Sequence, residues 1–309
     1  MSRIAVLGLG LIGGSVARGL ARTHDVVGFD PDRSDARTGL AVAATAQEAV
    51  DGADVVVLAA PVPANSDLLA LVPDTAVVTD VGSVKVPLVS AWTDQRLVPG
   101  HPMAGAESAG WEAATPDLFA GSRWVLCPGP WASRDDWLTV CALVLELGAV
   151  VVAADPVEHD AAAARISHVP HLVAAALAAS SGTGEHPALT RALAAGSFRD
   201  LTRITASPPA RTAEFVHANR GPTATALREL AAALTDSAEA LDDRDRLQAV
   251  LEAGHAARRQ VDAASRRGPV RSLVLDGPDW WLPLLDLGRA GGLVHAISAA
   301  TLTVTTPED

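Results

Sequence analysis

The sequence predicts an α/β protein, with a doubly wound parallel sheet in its first half followed by an all-helical domain. Three observations carry this. Short β-rich runs alternate with helical runs as far as residue 152, the pattern that βαβ units leave in a sequence. The runs are almost continuously apolar, as in Asp54-Val55-Val56-Val57-Leu58-Ala59, which suits strands covered on both faces by helices. From Val157 onward no run reads as a strand, and Ala/Leu/Arg-rich helical stretches take over.

In order, the strand runs are Ile4–Gly8, Val26–Asp30, Asp54–Ala59, Ala76–Asp80, Arg96–Val98, Trp124–Cys127 and Ala149–Val152. Helical segments at Leu11–Arg22, Ala46–Gly52 and Asp135–Leu147 separate several of them. The character changes near Asp155-Pro156, so the domains are expected at residues 1–154 and 155–309. The second is expected to be helical over Val157–Ser180, Pro187–Ala195, Ala210–Val216, Thr223–Leu241, Arg244–Ala264 and Trp280–Ala300. Breakers such as Pro208-Pro209, Gly221-Pro222 and Gly268-Pro269 divide it.

Composition narrows the classes. Hydrophobic residues make up 49% of the 309, and charged residues only 19% against a usual ~25%. Such a chain can bury large cores and still leave apolar surface for a second subunit. A net charge of −12 speaks against a general nucleic-acid or anionic-membrane binder and confines any anion site to a local basic pocket. Two cysteines, Cys127 and Cys141, cannot make a disulfide framework and fit a reducing compartment. The chain opens directly on a strand-like run, without a signal-peptide pattern. No charge-free apolar run reaches the ~18–20 residues of a membrane span. A soluble cytoplasmic protein is expected.

Gly8-Leu9-Gly10-Leu11-Ile12-Gly13 follows the first strand and opens a helix, and Asp30 closes the second strand. This is the dinucleotide-binding, Rossmann-type arrangement. Gly8 allows the tight turn, Gly10 lets the backbone approach a pyrophosphate, and Gly13 allows close helix–strand packing. The start of the helix, Leu11 and Ile12 included, faces the phosphates. Asp30 accepts hydrogen bonds from ribose hydroxyls, and its charge, with that of Asp32, favours NAD over NADP; Arg33 opposes that bias.

Further polar clusters exceed what a bare nucleotide fold requires: Thr79-Asp80-Val81-Gly82-Ser83-Val84-Lys85, His101-Pro102-Met103-Ala104-Gly105-Ala106-Glu107-Ser108, His159-Asp160, Ser167-His168-Val169-Pro170-His171, and Ser197-Phe198-Arg199-Asp200-Leu201-Thr202-Arg203. Arg199 and Arg203 share a face if that segment is helical. Lys85 is the only lysine among the 24 Lys and Arg residues, and an ammonium does not replace a guanidinium. It is expected at the substrate.

Taken together and in order, these clusters resemble the prephenate/arogenate dehydrogenase family of tyrosine biosynthesis. The resemblance runs from GLGLIGGS at 8–15 to SFRDLTR at 197–203. It implies a Rossmann domain followed by a helical dimerisation domain, a homodimer, and NAD-dependent oxidative decarboxylation of prephenate to 4-hydroxyphenylpyruvate. The alternative substrates are arogenate, giving tyrosine directly, or an amino-deoxy analogue. The resemblance also implies that His101 takes the hydroxyl proton as hydride leaves, with Ser83 in the same network. Arg203 clamps a substrate carboxylate, while His171, Arg199 and Glu107 lie on the substrate side. The chain departs from many relatives at Arg211-Thr212, where they carry a tryptophan. It ends without an amino-acid-sensing extension, so feedback through such a domain is not expected.

Plainer readings stand beside these. His101 before a proline can be a packing residue. His168 and His171 can be satisfied core histidines, Arg203 a surface ion-pair partner, and Glu107 a solvated carboxylate. A metal module of His159, Asp160, His168 and His171 would have suitable residue types, but His159 and His168 fall on different faces of a continuous helix. No metal is expected. A non-catalytic NAD sensor is disfavoured by Ser83, His101 and Arg203 occurring together.

Overall fold

A computed structural model describes residues 1–32, 39–92, 96–105, 110–264, 266 and 268–307, leaving aside the side chains of residues 62, 63, 65 and 66. The chain forms two compact units, residues 1–156 together with 259–309, and residues 157–258.

The first unit opens with β1 (Arg3–Leu7), α1 (Leu11–Leu20), β2 (Asp25–Phe29), β3 (Ala41–Val42), α2 (Ala46–Val50), β4 (Val55–Leu58), α3 (Val62–Leu69), β5 (Val77–Asp80), α4 (Val86–Ala91) and β6 (Leu97–Val98). Its strands form a parallel sheet in the order β3-β2-β1-β4-β5-β6. The continuous apolar runs are explained by the period-2 alternation of a strand. Ile4 and Val6 enter one core layer, while Ala5 and Leu7 enter the other. The order reverses between β1 and β4, and ligands of such sheets bind at that switch point, beyond the carboxyl ends of the strands.

A second sheet begins with β7 (Gly100–Pro102), β8 (Arg123–Leu126) and β9 (Val150–Ala153), with α5 (Arg134–Glu146) between the last two. α5 starts on a capping box in which the Ser133 hydroxyl and the Asp136 carboxylate each accept the other's backbone N–H. The runs at 124–127 and 149–152 therefore belong to a sheet of their own.

The second unit is helical: α6 (Pro156–Ala163), a π-helical turn at Ala164–His168, α7 (Val169–Ser180), α8 (Pro187–Ala192), α9 (Gly196–Thr202), a 3₁₀ turn at Arg203–Ala206, α10 (Pro209–Ala218), α11 (Arg220–Glu239) and α12 (Arg244–Ala263). Its buried apolar cluster is small, built on Ala164, Val169 and Ala226. Leu189, Leu193, Leu201, Leu234, Leu241 and Leu251 are exposed. By length and composition the helical stretch Pro156–Ser180 could cross a bilayer. It also carries the buried polar residues His159, Asp160 and His168.

Residues 259–309 correct the expected domain layout. They do not continue a helical domain 155–309 but rejoin the first unit. β10 (Val270–Val274), α13 (Leu282–Arg289), β11 (Leu293–Ser298) and β12 (Thr301–Thr305) complete a mixed sheet in the order β10-β12-β11-β9-β8-β7. The helix expected over 280–300 stops early. Gly291, at φ 71°, leaves the right-handed region, and such a glycine ends helices at little cost. Thr301-Leu302-Thr303-Val304-Thr305 then buries Leu302 and Val304, an alternation that belongs to a strand.

Candidate active site

The glycine loop lies at the switch point of the parallel sheet. Gly8 has φ 103°, and a Cβ there would lie 2.6 Å from the Ala59 carbonyl carbon, next to the end of β4; a Cβ on Gly13 would lie 2.0 Å from the Gly8 carbonyl oxygen. Both positions are closed to any side chain. Gly10 differs, since an added Cβ meets no atom within 4 Å. Gly10 is also the N-cap of α1 and makes no side-chain cap. The N–H groups of the first turn, at Leu11, Ile12 and Gly13, are therefore available to an anion. Asp30 holds this loop to the end of β2. Its Oδ2 accepts the Leu9 N–H at 2.8 Å, and its Oδ1 accepts that of Asp32 at 3.0 Å. Each carboxylate oxygen keeps a lone pair, so Asp30 can still take ribose hydroxyls. The residues fit a dinucleotide.

The polar cluster at 79–85 is organised around a buried ion pair. Lys85, at the start of α4, is fully buried; its Nζ bonds the Asp80 carboxylate and donates to the Gly100 carbonyl at 2.6 Å. Asp80 in turn accepts the Gly82 N–H on Oδ2 at 2.8 Å and the Gly100 N–H on Oδ1 at 3.0 Å. Gly82 precedes Ser83, and Gly100 precedes His101. One ion pair thus ties down the turn that carries Ser83 and the strand that carries His101. Lys85, expected at the substrate, faces protein groups in this pair. Its ammonium is enclosed by protein, where an unmatched charge would be very costly.

His101 sits on β7, opposite Val125 of β8 and almost fully buried, while Ser83 is half-buried. Gly100 can only be glycine, because a Cβ would lie 2.7 Å from the Asp80 carbonyl oxygen and 2.9 Å from Trp124 Nε1. Close packing here sets the backbone immediately before His101. Glu107 lies outside the described residues.

In the second unit His168 is fully buried at the end of the π-helical turn. Burial lowers its pKa to about 4 against an opposing Asp160 carboxylate, and the nearby His159 and His171 act in the same direction as burial. Its Nδ1 faces Asn219 Nδ2 at 3.0 Å and Thr223 Oγ1 at 3.4 Å. Its Nε2 has no hydrogen-bond partner among the described residues. One turn further, half-buried His171 stands 5.4 Å from the Phe215 ring. Its pKa is lowered by burial and by the Arg211 charge. His159 Nδ1 bonds Asp160 Oδ1 at 2.8 Å. Among the described residues no three His, Cys, Asp or Glu side chains converge as a metal site.

His171 lines a cavity of about 550 Å³ with Thr205, Thr212, His217, Arg220 and Thr223. Its remaining walls are mostly apolar, and among the described residues no carboxylate lines it. Arg199 lies on α9 and Arg203 opens the following 3₁₀ turn, with right-handed helical backbone continuing through Arg203, so the two share a face. Both are exposed and neither lines the cavity, although Ile204 and Thr205 do. Two residues the sequence reading passed over matter here, Asp80 and Asn219. Asp80 stood in a recognised cluster, whereas Asn219 had no local signal, being brought to His168 only by the fold.

Two family models match the chain, "Prephenate dehydrogenase, nucleotide-binding domain" over residues 16–153 and "Prephenate dehydrogenase, dimerization domain" over residues 155–253. A prephenate dehydrogenase of Lactococcus lactis is 34% identical over 224 residues, 66% of this chain and 61% of the relative's length. A crystal structure from Corynebacterium glutamicum, provisionally assigned as a prephenate dehydrogenase, superposes with a TM-score of 0.82 at 32% identity, covering 94% of this chain and 97% of that one. Aquifex aeolicus prephenate dehydrogenase, solved with hydroxyphenyl propionate and NAD+, gives 0.76 at 25% identity, covering 85% and 99%.

Proposed function

Because the chain belongs to the prephenate dehydrogenase family, we propose that it catalyses the NAD-dependent oxidative decarboxylation of prephenate to 4-hydroxyphenylpyruvate, as a cytoplasmic homodimer. The observation that carries this reading is the Asp80–Lys85 pair, which holds the residues before Ser83 and His101 at one buried anchor. Such an anchor suits a base and a hydroxyl that must meet one reacting group. Arogenate is the alternative substrate.

The glycine loop and the first turn of α1 hold the pyrophosphate, and Asp30 holds the adenosine ribose. The Asp30 carboxylate repels a 2′-phosphate, which favours NAD. Bound there, the nicotinamide supplies the acceptor for the hydride that leaves the ring carbon bearing the hydroxyl. His101 takes the hydroxyl proton, with Ser83 bonded to the same oxygen; a neutral imidazole suits that task near pH 7. As the carbinol becomes a carbonyl, the bond to the ring carboxylate breaks. Carbon dioxide departs, its electron pair moves through the ring to that carbonyl oxygen as the ring becomes aromatic, and the oxygen takes back the proton held by His101. Arg203 binds a carboxylate as a bidentate fork, with Arg199 and His171 beside it on the substrate side. The exposed leucines of the helical unit form the subunit contact, as large apolar interfaces do.

Steady-state kinetics with prephenate and arogenate, each with NAD and NADP, test the reading. The expected result is the highest kcat/KM with prephenate and NAD. Turnover of neither substrate removes the proposal, and a monomer by light scattering at micromolar concentration removes the dimer.

A further inference from the structure

Asn219 lies between α10 and α11 and is buried. Its Nδ2 donates to the Asp160 backbone carbonyl at 2.7 Å. A carbonyl oxygen can only accept, so the NH₂ group, and not the amide oxygen, must occupy that side. The same nitrogen reaches His168 Nδ1 at 3.0 Å with its second hydrogen. His168 Nδ1 is therefore the acceptor, and the ring proton resides on Nε2. That N–H is buried and lacks a partner among the described residues. An orphaned donor of this kind is rare in folded proteins and calls for an acceptor supplied from elsewhere. The π-helical turn that ends at His168 is of a type that recurs at functional sites.

We propose that Asn219 is a positioning residue that fixes His168 as the Nε2–H tautomer, and that His168 thereby recognises an acceptor oxygen of the substrate side chain, the 2-oxo acid end. The inference rests on the dehydrogenase reading given above. A neutral, oriented N–H donates to a keto or carboxylate oxygen, but it opposes an ammonium group, which is itself a donor. The surroundings select in the same sense. The wall of the nearby cavity contains Thr223, which also bonds His168 Nδ1, and His171, and among the described residues no carboxylate that could pair with an amine. The charges near His168 are Asp160, His159 and His171, and Asp160 is already bonded to His159. Buried and with its acid pKa, the imidazole stays neutral through the working pH range.

The test uses the full-length protein labelled with ¹⁵N-histidine. In the wild type, His168 is expected to show a protonated-type Nε2 and an unprotonated-type Nδ1 shift, the resonance being identified by its loss in His168→Gln. Asn219→Asp, close in size, offers an acceptor in place of the donor. It should move the proton to Nδ1 and lower the prephenate-to-arogenate ratio of kcat/KM about tenfold, mostly through KM, the scale of one hydrogen bond of roughly 1.4 kcal/mol. His168→Gln places an amide N–H near the Nε2 position and should keep the ratio within about threefold, whereas His168→Leu should lose it. A wild-type Nδ1–H tautomer overturns the proposal. So does a ratio that stays within twofold in both Asn219→Asp and His168→Leu, the result expected if only a buried water meets Nε2. If the wild type turns over neither substrate, the dehydrogenase reading fails and recognition of the side chain fails with it, while the nitrogen shifts still decide what Asn219 does.

Discussion

Each unit of the molecule buries a polar anchor, and the two are built on opposite principles. In the first unit the anchor is charged: Lys85 and Asp80 face each other and share the backbone of Gly82 and Gly100. In the second it is neutral: Asn219 and Thr223 converge on one nitrogen of His168. A buried charge is tolerable only when it is closely matched by protein groups, since leaving one uncompensated costs several kcal/mol. Such an anchor holds backbone in place and offers little to a ligand. An uncharged anchor can leave one hydrogen-bonding group over at a smaller cost, and His168 Nε2 is such a group. The charged residue that the sequence marks as a ligand is thus an internal brace, and the histidine that looks like ordinary core carries the open donor.

The comparison is broken most severely by what the charged anchor serves. Replacing His101 by Asn should lower kcat by roughly 10²–10⁴-fold, the usual effect of losing a general base, with NAD binding retained in equilibrium titration. An active variant with an unchanged pH–rate profile would remove His101 from the chemistry. Next comes the brace itself. Lys85→Met leaves the Asp80 carboxylate buried without its cation and should cost about 3–5 kcal/mol of stability, read by denaturant unfolding. The double variant Asp80→Asn/Lys85→Met should recover part of this, because the stranded charge is gone. In both, kcat should fall more than KM rises, since the brace acts on the turns before Ser83 and His101. A Lys85→Met enzyme of full stability and raised KM alone would return Lys85 to the substrate.

These differences also show what a sequence reveals. The parallel sheet was legible because apolar runs such as Val55–Leu58 recur between helical segments, and the glycine loop because Gly8 and Gly13 have steric requirements that no other residue meets. The site residues of the first unit were legible as clusters, yet their roles were not. Whether Lys85 points to solvent or into the protein depends on Gly100, fifteen residues away in sequence. The strands after residue 270 were missed because Trp280–Ala300 carries an apolar content that suits a helix or a strand alike, and the choice is made by Gly291 and by pairing with distant β9. Asn219 was missed for the same reason, its two partners lying 59 and 51 residues away.

A sharper contrast concerns exposed cations. Arg199 and Arg203 share a helical face without burial, so neither should behave as Lys85 does. Arg203→Ala should leave stability within about 0.5 kcal/mol, as surface substitutions usually do, and raise KM for prephenate roughly 10–100-fold through loss of a charge-assisted contact. The loss should appear in KM rather than kcat, because the carboxylate is charged in ground and transition states alike. Arg203→Lys should restore only part of it. An unchanged KM in Arg203→Ala moves the clamp to Arg199.

The smallest expected effect separates the two anchors by acid. His168 has its pKa lowered by burial to about 4, from an ordinary 6.5. Below pH 6.5 the unfolded chain therefore binds a proton that the folded chain refuses. Stability of the helical unit is fully present above that pH and is lost progressively as pH falls toward 4. In the first unit, burial alone would raise the Asp136 carboxyl, but hydrogen bonds from Arg96 and Ser133, together with the Arg96 charge, hold it below the usual carboxylate range. Its contribution is present above the ordinary carboxylate pKa and is lost only at lower pH, as the acid passes its depressed value. All seven tryptophans, from Trp92 to Trp281, lie in the first unit, so their fluorescence reports that unit alone, while far-ultraviolet circular dichroism is dominated by the helical one. Acid titration should shift the dichroism signal between pH 6.5 and 4 before the tryptophan emission changes. His168→Gln, which carries no titrating ring, should move the dichroism transition toward the fluorescence one. Coincident transitions in the wild type would mean that both anchors fail together and that the neutral one has no separate acid weakness.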